Sequence, residues 1–192
     1  MAGLKKIVAT FRLRQLARRH TGTVINFPFD LLSTRNIMVC LPADQKELTM
    51  IKQFLPEISR IFADCEIYLL AAPGSQVYGI FPRKGYRIMT PSSDHLSWSG
   101  LAKKSYINAL KRNKYDLILD LNLNPNQFVQ SVLLSFPEAV RIGSSSSLGH
   151  PYYNFEIRSK FLRDEKNIYK SIIEMIGQFR TETPVRPDKN HN

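Results

Sequence analysis

The sequence predicts an α/β fold: a Rossmann-like, doubly wound and mostly parallel sheet, preceded by a basic helical arm. Two observations carry this reading. Short apolar runs alternate with helical patterns from residue 36 to residue 177, which is the signature of successive βαβ units. The segment 114–143, KYDLILDLNLNPNQFVQSVLLSFPEAVRIG, holds one whole unit. It contains an apolar strand broken only by Asp120, an Asn-Pro-Asn turn, an apolar helical run, and a strand ending in Arg141-Ile142-Gly143. With 192 residues, 43% of them hydrophobic, the chain is long enough to bury a core and is not wholly disordered.

The elements follow in order. Residues 3–19 place Leu4, Ile7, Val8, Phe11 and Leu16 at helical spacing with basic residues between them, so an amphipathic arm is expected. Residues 24–32 read as an extended linker broken by Pro28, and arm and linker together fill residues 1–35. Residues 36–41 (NIMVCL) are the first strand, and 42–46 the loop after it. Residues 47–62 form a helix kinked or reset near Pro56. Residues 66–71 (EIYLLA) are the second strand, 73–75 a Pro-Gly-Ser turn, 76–81 a short helix and 86–89 a short third strand. A polar loop at 91–100 precedes an amphipathic helix at 101–114, with Leu101, Tyr106, Ile107 and Leu110 on its apolar side. Beyond the central unit come a Ser- and Gly-rich loop at 144–153, a strand at 154–158, and a closing helix at 165–179 with Ile168, Ile172, Ile173 and Ile176. The folded domain is thus expected to span 36–179, with 180–192 a disordered tail.

The net charge of +11 is unevenly spread. Residues 1–20 carry Lys5, Lys6, Arg12, Arg14, Arg18 and Arg19, and no acid precedes Asp30. No run approaches the roughly 18–20 apolar residues of a spanning helix, and no continuous apolar region marks a leader. Cys40 and Cys65 read as buried thiols of a cytoplasmic protein. The histidines, at 20, 95, 150 and 191, have no Cys or acid at ligand spacing, so no metal site is expected. The run GSSSSLGH at 143–150 lacks the spacing of a phosphate-binding loop and reads as a flexible loop.

The order of elements resembles glycosyltransferase family 9, the lipopolysaccharide heptosyltransferase group, and specifically one half of its two-domain GT-B fold. The likeness is carried by NIMVCLPADQKELTMIKQFLPEISRIF, by DCEIYLLA, by NKYDLILDLN and by AVRIG, and it covers residues 36–177. It implies the N-terminal, acceptor-side domain. It also implies a catalytic aspartate in a Gly-Asp pair after the first strand. Here the best-matching position holds Glu47, preceded by Lys46, with Asp44 three residues earlier. The resemblance covers only the first of the family's two domains, so this chain is expected to lack the donor-binding second domain. No cofactor is implied.

Sheets of this class bind ligands at the carboxyl ends of their strands, here the loops 42–46, 72–75, 90–100 and 122–127. Glu47 has two readings: a general base toward a sugar hydroxyl, or a first-turn acid that favours the helix dipole. Asp44 reads as an acceptor-binding residue or an N-cap, and Lys46 as an acceptor contact or a solvated side chain. Asn122, Asn124, Asn126 and Gln127 supply amides suited to sugar hydroxyls, and are also ordinary turn and cap formers. His95 and Trp98 share one loop, where an aromatic beside a polar group suits carbohydrate, or the tryptophan simply packs down. The six cations of the arm suit an anionic bilayer, nucleic acid, a protein partner or the chain's own domain.

Three functions follow, in order. The first is a non-catalytic relative that binds or scaffolds, cytoplasmic and peripheral on the inner face of the cytoplasmic membrane. The second is the acceptor-binding half of a split glycosyltransferase, with a separate donor-domain partner. A nucleic-acid-associated protein ranks last, because no aromatic-and-basic platform is evident within the folded part.

Overall fold

The computed structural model describes residues 2–18, 24–82, 84–161 and 163–181. Arg19, His20, His191 and most of the expected tail lie outside the described residues. Six strands form one sheet: β1 (Asn36–Cys40), β2 (Glu66–Leu70), β3 (Arg87–Met89), β4 (Leu117–Asp120), β5 (Val140–Ser144) and β6 (Phe155–Ile157). Every neighbouring pair is parallel, in the order β3-β2-β1-β4-β5-β6. The order reverses between β1 and β4, and in open α/β sheets that reversal opens a crevice at the carboxyl ends of the two strands.

The unbroken apolar runs have a simple cause: both faces of the sheet are covered. Along β1, Ile37 and Val39, followed by Leu41, face a layer that includes helices α3 (Gln45–Ile61) and α6 (Glu165–Thr181). Met38 and Cys40 face the opposite layer, with α4 (Lys104–Lys111) and α5 (Gln127–Leu133). Gly143 on β5 is needed for close approach, because a Cβ built on it would overlap the ring of Tyr153.

Several sequence expectations change. α3 runs without interruption through Pro56. Pro56 and Lys52 both face solvent, so the carbonyl that proline leaves without a donor is open to water. The linker is not extended throughout, since α2 (Phe29–Leu32) forms within it. Phe27 packs against Phe155 and Phe179, and Arg180 donates to the Leu31 carbonyl and to Asp64. α6 therefore continues through Thr181, past the expected end of the domain. Residues 76–81 form turns, not a helix. α4 begins at Lys104, leaving Leu101 in a loop. Cys65 is half-buried rather than buried, its Sγ donating to the Thr34 carbonyl.

The arm is helical, as α1 (Ala2–Arg18). Ala9 and Leu13 are the buried residues, packed with Leu101 and Leu134, and Ala17 is partly buried beside them. Leu4, Ile7 and Phe11, the bulkier residues of the arm's apolar spacing, are 59%, 67% and 69% exposed. Small Ala9 and Ala17 let α1 approach its own domain closely, and the larger apolar residues are left outward. No helix among the described residues is long and apolar enough to cross a membrane.

Candidate functional site

The carboxyl ends of the strands carry two polar groups, one on each side of the sheet. On the α3 side, Asp44 caps α3: its Oδ1 accepts from the amides of Lys46 and Glu47 at 2.9 and 3.0 Å. An aspartate at this position satisfies helix donors that have no partner within the helix. Lys46 is exposed and pairs with Glu165 at 3.0 Å. Glu47 points inward and is 7% exposed. Its Oε2 accepts from the Tyr169 hydroxyl at 3.2 Å and its Oε1 from the Asn124 amide at 3.4 Å. Burial raises the Glu47 pKa above 4.5, while the bonds from Tyr169 and Asn124 pull the other way. Of the two carboxylates after β1, only Asp44 is exposed.

Between the two groups lies a buried set. Asp120, at the end of β4, accepts from the Asn122 backbone amide at 3.0 Å, the Asn122 side chain at 2.6 Å and the Tyr153 hydroxyl at 2.7 Å. Burial raises its pKa, and these bonds oppose the rise. Burial, and then the charge of Asp120, push the thiol of neighbouring Cys40 well up, so it is an inert core group. The Asn122 side chain is bonded to Asp120 and lines neither of the two cavities beside α1.

On the α1 side a cavity of about 920 Å³ opens over the strand ends. Its walls come from α1 (Lys6, Thr10, Leu13, Arg14), from the loops after β2 and β3, from residues 125–130, and from Tyr152. Asn126 lines it but its Oδ1 caps α5, accepting from the amides of Phe128 and Val129. Gln127 reaches Thr10 Oγ1 at 3.4 Å. Gln130, absent from the sequence reading, also lines the cavity. A smaller cavity of about 400 Å³ lies elsewhere along α1, between Arg12 and Lys103, away from the β1 and β4 strand ends.

The other expected residues separate from both groups. His95 is turned into its own loop: its Nδ1 accepts from the Ser92 amide at 3.0 Å, and its ring stacks on Tyr106 at 4.4 Å. Trp98 does not pack down. It is 57% exposed, with Lys5 Nζ 5.9 Å from its ring centre, the range of a cation–π contact. The described residues contain no cluster of three or more potential metal ligands.

No family model matches the sequence, and no curated protein does. Among solved structures, E. coli heptosyltransferase WaaC with ADP shares 12% identity at a TM-score of 0.53, covering 81% of this chain and 49% of the other. The same enzyme with ADP-2-deoxy-2-fluoro heptose shares 11% identity at a TM-score of 0.54, covering 81% and 50%. The chain has the fold of one heptosyltransferase half. It spans about half the length of these structures, and at this identity the likeness concerns architecture alone. The Rossmann-like sheet expected from the sequence is therefore shared with a glycosyltransferase.

Proposed function

We propose that this chain is a glycosyltransferase-like protein that binds a glycan at the carboxyl ends of its strands and does not itself transfer sugar. The observation that carries the reading is the contrast at those ends. The carboxylate expected to act as base, Glu47, is enclosed and hydrogen-bonded to Tyr169 and Asn124, while an open cavity nearby is lined by amides and cations. Amides with free hydrogen-bonding positions match sugar hydroxyls. The test is a glycan array with the purified chain, paired with an assay of nucleotide-sugar turnover. Glycan binding without turnover is expected, and turnover by the chain alone would overturn the reading.

The raised pKa of Glu47 favours a second reading, because a carboxylate with a raised pKa is the stronger base. In it the chain is the acceptor-binding half of a split transferase, completed by a separate donor-domain protein. Exposed Asp44 and enclosed Glu47 are then the two candidate bases. Co-purification of a nucleotide-sugar-binding partner, with turnover lost in Asp44→Asn or Glu47→Gln, would favour it over the first.

The outward face of α1 suits a peripheral position on an anionic bilayer, such as the inner face of the cytoplasmic membrane. Leu4, Ile7 and Phe11 form an exposed apolar stripe, with Lys5, Arg12, Arg14 and Arg18 on the same helix and no acid on it. Apolar insertion plus phosphate attraction is how interfacial helices bind. Flotation with anionic vesicles should recover the chain, and Ile7→Ser/Phe11→Ser should release it. Equal recovery of both would exclude the membrane role.

A further inference from the structure

The cavity beside α1 has three properties that together specify a ligand. First, its charge is one-sided. Lys6 and Arg14 line it, no acid does, and among the described residues neither cation has a carboxylate at ion-pair distance. Second, Gln130 is 8% exposed, lines the cavity, and has no side-chain hydrogen-bond partner among the described residues. Among the described residues the enclosed side-chain atoms without a partner are Arg141 Nε and Ser147 Oγ, so the Gln130 amide is open to the cavity, where a ligand hydroxyl can replace water. Third, an aromatic ring stands beside the charge. Tyr152 and Arg14 line the same cavity, and the guanidinium charge opposes the rise that burial gives the phenol's pKa.

The cations come from one element and the amides from another. α1 supplies Lys6 and Arg14, whereas Gln127 and Gln130 belong to α5. α1 is held there by Ala9 and Leu13 against Leu101 and Leu134, so the cavity has a fixed wall. A neutral sugar would use the amides and leave two positive charges idle, and a bare anion would leave the amides idle. A sugar bearing a phosphate uses both: guanidinium and ammonium on the phosphate oxygens, and amides on the hydroxyls.

We propose that this cavity is a binding site for a phosphorylated sugar, in which α1 recognises the phosphate through Lys6 and Arg14 and α5 recognises the sugar through Gln127 and Gln130. The inference rests on the glycan-binding reading and adds the charge of the ligand and the residues that select it.

The test is a titration of the full chain, followed by the side-chain amide signals of Gln127 and Gln130 in ¹⁵N NMR. The probes are hexose 1- and 6-phosphates, the corresponding neutral hexoses, and inorganic phosphate. The expected result is that a sugar phosphate shifts both amides and binds more tightly than either half alone. Arg14→Gln and Lys6→Gln should each weaken sugar phosphate binding about tenfold and leave neutral sugar binding unchanged. Arg12→Gln, which removes a charge at the other cavity, should change it less than about twofold, as expected for screened charge. Gln130→Leu should weaken sugar phosphate and leave inorganic phosphate untouched. If neutral and phosphorylated sugars bind alike, the inference fails while the glycan-binding reading survives. If inorganic phosphate binds as tightly as the sugar phosphates, the site is a general anion sink and the inference fails. If no probe shifts residues 125–130, both fall.

Discussion

The two polar groups at the strand ends differ in what they leave for a ligand. On the α3 side each hydrogen-bonding group has a partner nearby: Asp44 caps a helix, Lys46 pairs with Glu165, and Glu47 holds Tyr169 and Asn124. On the α1 side, among the described residues, two cations lack acids and the Gln130 side chain, open to the cavity, has no protein partner. The same end of the same sheet thus carries a polar cluster bonded within the fold and a polar cavity open to solvent.

The sharpest way to break this contrast is to remove the floor beneath both groups. Gly143→Val should displace Tyr153 and cost Asp120 a hydrogen bond. A loss of about 3–4 kcal/mol is expected from overpacking and the broken bond together, read by urea denaturation. Little change would mean that Tyr153 has room to move. Glu47→Ala should cost about 1–2 kcal/mol, because it strands the buried Tyr169 hydroxyl. Gln130→Leu should behave in the opposite way, neutral to stabilising within about 1 kcal/mol without ligand, since no protein bond is lost. A clear destabilisation would show that the protein itself satisfies Gln130.

The smallest effect is a pH slope. Glu47 and Asp120 both have pKa values raised in the folded chain. Over that range the folded state keeps a proton the unfolded chain has released, so stability falls as pH rises from the ordinary carboxylate pKa through the raised one. Glu47→Gln should flatten part of that fall, measured as stability against pH from 4 to 8. An unchanged slope would mean that Glu47 titrates normally.

Most of the fold was readable because its strands are apolar on both faces and bounded by turn residues. What escaped the sequence has physical causes. The sequence left open which face of α1 docks, because the contact is made by small Ala9 and Ala17 with Leu13, which a pattern of bulky residues does not mark. Pro56 was expected to disturb α3, yet it sits on the solvent face where water replaces the lost donor. The pairing of Glu47 with Tyr169 joins residues 122 positions apart, which no local pattern encodes. Gln127 was named from its place after the central strand, and it lies on the cavity wall. Gln130 left one trace, a polar residue inside the apolar run FVQSVLL, and its meaning depended on α1 folding over it.

The measurement closest to the central claim compares one side chain from each group. Binding of a hexose phosphate is measured by calorimetry for the unmodified chain, Gln130→Leu and Glu47→Gln. Binding lost in Gln130→Leu and retained in Glu47→Gln is the predicted result. Binding lost in Glu47→Gln and retained in Gln130→Leu would contradict the account and place the site on the α3 side.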